Sequence, residues 1–223
     1  MRYEELHEEI TRGGAAGSLP RWALGVLEDI TEGRRPVTAV RHPLGFLCLP
    51  VERRNSPVGR LGVCLHVWSP WLARATTTTS LIHCHSWDLL SFVLYGEVRN
   101  VPARIRDTGE GATHQVFEVL SRGDTDEIRA TGRTVRYSPG VAHEHQGGQV
   151  YRLPAGEYHS TAIGGDLHAA TVALGHEISG AGDLSLGDLD TPTHHVRRLR
   201  CGPLETARAA LLSAERLAAA HAA

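Results

Sequence analysis

Between Val37 and Leu174 the chain is a succession of short apolar or alternating runs: GFLCLPV, RLGVCLHVW, SLIHCH, LLSFVLYG, HQVFEVL, RTVRYS, QVYRLP and ATVALG. Gly, Pro and Asp turns separate them. Alternation puts every second side chain on one face of a strand, and many short strands with regular turn signals define a β-sandwich or barrel. The flanks read differently. From Tyr3 to Glu32, Leu6, Ile10, Trp22, Leu24, Val26, Leu27 and Ile30 surround Gly13, Gly14 and Gly17. That pattern predicts two short helices with a glycine break, the second starting near Ser18-Leu19-Pro20. Pro203 to Ala222 combines strong helix formers, a first-turn proline and apolar residues at helical spacing, and predicts a terminal helix. Gly180 to Pro192, rich in Gly, Asp, Ser and Thr, reads as a surface connection.

With 223 residues the chain suffices for one well-buried core, so a single domain is expected. Its expected parts are a helical extension over 1–36, an all-β barrel over 37–175, and a connecting loop with a C-terminal helix over 176–223. A formal charge of -2 gives no electrostatic case for nucleic acid or an anionic membrane, and points to a small-molecule partner. No apolar run approaches the roughly 20 residues of a membrane helix. The start, MRYEELHEEI, is acidic and polar, so a cytoplasmic location is expected. Cys48, Cys64, Cys84 and Cys201 form no C-x-x-C pair, which favours reduced thiols over a zinc ribbon or a disulfide framework. All 23 basic residues are arginine, which removes lysine-based phosphate and Schiff-base chemistry. Against that background the 14 histidines stand out, because imidazole is the commonest neutral metal ligand.

Residues i and i+2 of a strand share a face, so His83 and His85 in IHCH present two imidazoles to one point while Cys84 turns away. Further on, Gly148-QVYRL-Pro154-Ala-Gly156-Glu-Tyr-His159 ends a strand in a P-x-G turn that aims a third histidine back toward the barrel. Together these stretches resemble the two motifs of the cupin superfamily, G-x5-H-x-H-x3-4-E-x6-G and G-x5-P-x-G-x2-H-x3-N. Gly148, Pro154, Gly156 and His159 fall at the family spacing, with Ile163 in place of the final Asn. His83, His85 and Gly96 are in register in the first motif. Thr77 stands for its first glycine and Leu89 for its glutamate ligand. The resemblance covers Thr77 to Ile163 and implies a double-stranded β-helix, or jelly-roll barrel, with metal held by His83, His85 and His159.

Leucine cannot ligate, so the site is expected to be a neutral three-histidine centre, or one completed by Asp88. A neutral set leaves a divalent cation electrophilic with about three open positions, which suits catalysis. Three-histidine cupins resemble thiol, diketone and gentisate-type dioxygenases, and that implies non-haem Fe(II) and an oxygenase. The thiol dioxygenase pattern is not matched: Asp166-Leu-His168-Ala-Ala170 keeps only the histidine of its outer run. Two alternatives stay open, a Zn(II), Mn(II) or Ni(II) lyase, isomerase or bond-forming enzyme, and a barrel that only binds a ligand. Candidates for substrate binding or support of the metal ligands are Ser91, Tyr95, Arg104, Tyr151, Tyr158, His168 and Trp87. His66, Arg106 and Arg152 are further barrel-facing possibilities. His143 and His145 make a second H-x-H in a glycine-flanked hairpin, and His194 and His195 are expected in a solvated loop. Exposed edge strands make a homodimer a reasonable expectation.

Overall fold

A computed structural model describes residues 1–56, 59–177 and 182–222. In chain order the elements are α1 (Tyr3–Arg12), α2 (Ala15–Thr31), β1 (Val40–Arg41), β2 (Leu47–Ser56), β3 (Gly59–Trp68), β4 (His83–Cys84), β5 (Asp88–Tyr95), β6 (Glu97–Asp107), β7 (His114–Arg122) and β8 (Thr125–Pro139). They continue with β9 (His143–Gln146), β10 (Val150–Leu153), β11 (His159–Ile163), β12 (Ala169–Glu177), β13 (Asp183–Gly187), β14 (His194–Arg197), β15 (Leu199–Arg200) and α3 (Pro203–Ala222). No helix among the described residues is long and apolar enough to cross a membrane.

The strands form two antiparallel sheets, ordered β10-β5-β12-β3-β2-β1-β15 and β14-β8-β7-β13-β4-β11-β6-β9. The long strand β8 pairs with β7 and, near its end, with β6, so β8, β7, β13, β4, β11 and β6 form a nearly closed ring. The result is a β-sandwich approaching a barrel, with helices at both chain ends.

Alternation decides what each face of the first sheet meets. In β3 the odd residues Leu61, Val63, Leu65 and Val67 are buried against a core that includes Leu6, Leu19 and Leu27 of the N-terminal helices and Leu217 of α3. The even residues Cys64, His66 and Trp68 face the second sheet, with Phe46, Cys48, Leu89, Val93, Tyr151 and Ala173 around them. A third cluster of Ile82, Cys84, Val116, Val135, Tyr158 and Leu186 occupies the other face of the second sheet, the concave side of the ring.

Three local expectations change. The glycine break is present, but α2 starts at Ala15, so Gly17 and Pro20 lie inside it. Gly13, at φ +80°, terminates α1 with its N–H bonded to the Glu9 carbonyl, and the Glu9 carboxylate accepts from Ser18 Oγ at 2.5 Å. The short break is thereby closed and the second helix begins early. The stretch read as a surface connection supplies β13, which pairs with both β7 and β4; its first two residues, Gly180 and Ala181, lie outside the described residues. His194 and His195 belong to β14, paired along β8. The first-motif glycine has a steric reason. Gly96 adopts φ +79°, and a Cβ there would lie 2.0 Å from the His168 carbonyl oxygen.

Candidate metal centre

His83 and His159 are direct cross-strand partners on β4 and β11, and His85 follows two residues after His83. One ring nitrogen from each of the three lies within 4.8 Å of the others. Ring centroids are 4.4 Å apart for His83 and His159, 4.9 Å for His83 and His85, and 5.2 Å for His85 and His159. His159 is buried and the other two are half-buried.

Hydrogen bonds fix which nitrogen points inward. His83 Nδ1 lies 3.0 Å from the Leu81 carbonyl oxygen and His159 Nδ1 lies 2.9 Å from that of Glu157. A carbonyl only accepts, so each Nδ1 carries the proton and each Nε2 keeps its lone pair for a metal. Burial, followed by the proximity of His159, drives the pKa of His83 down to about 3. Burial likewise lowers His85, with His83 and His159 adding to the effect, and burial lowers His159. All three are therefore neutral near pH 7, the form that ligates. Donor type, orientation and spacing together fit a divalent transition metal.

The turn of the second motif is tied to the first. Gly156, in the left-handed region at φ +78°, donates its N–H to the His85 carbonyl at 2.8 Å. Asp88 is exposed and accepts from the Ala155 N–H at 2.9 Å, so it braces the same turn and stands outside the group of converging ligand atoms. Leu89 packs in the apolar cluster between the sheets.

The remaining candidates separate by face. Ser91 and Tyr151 line the space between the sheets, where burial raises the tyrosine pKa and the Ser91 and Thr171 hydroxyls moderate it. Trp87 packs against His85 with its ring tilted by 53° and centroids 4.4 Å apart, and it lies over Gly175. Tyr95 instead joins the core under the helices: a bulge between Ala170 and Thr171 skips Leu94 and turns Tyr95 to the opposite side. Tyr158 precedes His159 and so faces the ring interior, where burial raises its pKa. His168 packs edge-on against Trp71, at 4.5 Å between centroids, beside the ion pair that Arg216 of α3 makes with Asp166. Arg104, Arg106 and Arg152 are exposed.

Several residues at the site escape sequence reading. Asp183 accepts from the Ser86 N–H at 2.8 Å and from Ser86 Oγ at 2.9 Å, anchoring the link that follows His85. It lies in the stretch read as a loop. Asn100 and Thr161 are cross-strand partners near His159; Thr161 Oγ1 donates to Asn100 Oδ1 at 2.8 Å, while the buried Asn100 Nδ2 has no hydrogen-bond partner among the described residues. Thr171, opposite His66, is also fully buried and faces Tyr151. Strand alternation was the available signal for both.

His42 stacks on Phe46 at 4.3 Å between centroids, and burial depresses its pKa to about 3, with His66 and His83 adding to the effect. The unfolded chain takes up that proton near pH 6.5 and the folded chain does not, so stability falls as pH drops from about 6.5 toward 3. His42→Gln is expected to make the acid limb of denaturant-derived stability shallower. An unchanged limb refutes the assignment. Comparison with protein-family models and with curated proteins gives no match for this chain.

Proposed function

We propose that this chain is a metal-dependent enzyme of the cupin type, in which His83, His85 and His159 hold Fe(II) and a small organic substrate is oxygenated between the two sheets. The observation that carries the reading is the convergence of three neutral imidazoles with no acidic side chain among them, His83 and His159 each offering Nε2. Facing antiparallel sheets and the two spaced histidine motifs support the double-stranded β-helix. When bound, Fe(II) supplies dioxygen chemistry and open positions for substrate.

The protein's own share is orientation and shielding. Trp87, Leu89 and Val93 give the space an apolar wall that restricts water. Asn100 Nδ2, held by the Thr161 bond to its Oδ1, would donate to a substrate oxygen, and Tyr151, Ser91 and Thr171 offer hydroxyls from the opposite sheet. An unsatisfied buried donor costs roughly 1–3 kcal/mol, so a ligand that pairs with it gains specificity over one that does not.

The same imidazole set equally suits Zn(II), Mn(II) or Ni(II) acting as a Lewis acid. Metal analysis and spectroscopy on protein purified anaerobically from its native host separate the two readings. Iron at one equivalent at the histidine site, with oxygen consumed on addition of a turned-over substrate, is expected. Zinc at that site, with no oxygen uptake for any substrate that binds, removes the oxygenase reading in favour of the Lewis-acid one. Ligand binding unaffected by His159→Ala favours a barrel that only binds.

A further inference from the structure

The first sheet carries a second ligand cluster on the face that looks toward the three histidines. Cys48 of β2 and His66 of β3 are direct cross-strand partners, and Cys64 lies two residues from His66 on the same face. Both sulfur atoms and a His66 ring nitrogen lie within 4.8 Å of one another. Cys48 is buried, Cys64 and His66 are half-buried, and neither cysteine is in a disulfide. Phe46 at 4.3 Å and Trp68 at 6.0 Å, between ring centroids, hold the His66 imidazole.

We propose that Cys48, Cys64 and His66 form a second metal site that binds Zn(II) through two thiolates and one imidazole. This site stands apart from the function assigned to the three-histidine centre. Tetrahedral zinc with Zn–S bonds of about 2.3 Å sets its sulfurs roughly 3.8 Å apart, so the cluster closes on the ion by side-chain adjustment alone. Thiolate donors select soft or borderline metals over Mg(II), Ca(II) and Mn(II). Charge selects further. Phe46, Trp68 and Val93 pack around the cluster and penalise an uncompensated charge, against the more distant positive potential of Arg53 and Arg198. Zn(II) with two thiolates and a neutral imidazole is electrically neutral, whereas Cu(I) in the same set leaves one negative charge. Loading converts two thiols to thiolates and releases two protons to solvent for each zinc bound. Three protein ligands leave the fourth position to water or a small molecule from the space between the sheets.

Cobalt(II) is the probe, because thiolate ligation gives a charge-transfer band in the near ultraviolet and imidazole ligation alone does not. The reduced full-length chain is titrated anaerobically with Co(II), then with Zn(II). The expected result is a thiolate band that saturates at one equivalent of the sites responsible and is bleached by zinc. It persists in His83→Ala/His159→Ala, which removes the other centre, and in Cys84→Ser/Cys201→Ser, which removes the remaining thiols. It disappears in Cys48→Ser and Cys64→Ser chains whose circular dichroism is unchanged. No thiolate band in the unsubstituted chain overturns the proposal, as does a band lost in Cys84→Ser/Cys201→Ser or kept in folded Cys48→Ser and Cys64→Ser. The unsubstituted and Cys84→Ser/Cys201→Ser chains decide the matter even if the ligand variants do not fold.

Discussion

His159→Ala is expected to weaken divalent-metal binding at the three-histidine centre by more than about 100-fold, because losing an outer hydrogen bond to a metal ligand already costs about 10–100-fold and this change removes a ligand outright. His159 is 2% exposed and sits opposite His83 in the β4–β11 pair, so its removal takes away a ligand that the strand pairing holds in place. Asp88→Ala provides the contrast. Its carboxylate is exposed and occupied with the Ala155 N–H, so its removal is expected to change metal affinity by less than tenfold, through a loosened turn. Competition titrations against a chelator of known affinity, on variants checked by circular dichroism, measure both. Equal losses in the two variants refute the neutral three-histidine set and make Asp88 a ligand.

The readability of the sequence follows which interactions are local. Strand alternation in IHCH and the P-x-G turn before His159 are properties of a few consecutive residues and mark each ligand, whereas the pairing of β4 with β11 is what brings His159 to His83. Parity also separates Cys84 from its neighbours and puts it in the ring-side core. What fails is what depends on a distant partner. Asp183-Leu-Ser-Leu-Gly187 carries Gly and Asp at its ends and resembles a loop, yet Leu184 and Leu186 alternate and gain burial only between β7 and β4. Tyr95 has the parity of Ser91 and Val93 until the Ala170–Thr171 bulge reverses it, and nothing in LLSFVLYG encodes that bulge. His168 follows a turn held by Asp166, whose carboxylate accepts the His168 N–H at 3.2 Å and pairs with Arg216 of α3. The helix, and not the barrel, determines where it packs.

Phe117→Ala is the substitution expected to cost most in stability, about 3–5 kcal/mol, the range for truncating a fully buried aromatic ring. Phe117 is completely buried on β7 and pairs with Ser185, which in turn pairs with His83, so the three form one row across the second sheet. Its ring lies where Gly187 has no side chain: a Cβ at Gly187 would come within 2.7 Å of it, and Thr79 closes the same space. Thr79 Oγ1 is 2.7 Å from Ser185 Oγ, so a void here removes support from the segment leading into His83 as well as from β13. Two effects follow, a large loss of global stability and a smaller loss of metal affinity through a less well-held His83. Leu211→Ala on α3, 45% exposed, is the comparator and is expected to stay within about 0.5 kcal/mol. Denaturant unfolding of the metal-free and metal-loaded protein measures both terms. A Phe117→Ala loss no larger than that of Leu211→Ala would show that the row does not pack as described, because no relaxation of a β-sheet refills the space of a phenyl ring at that cost.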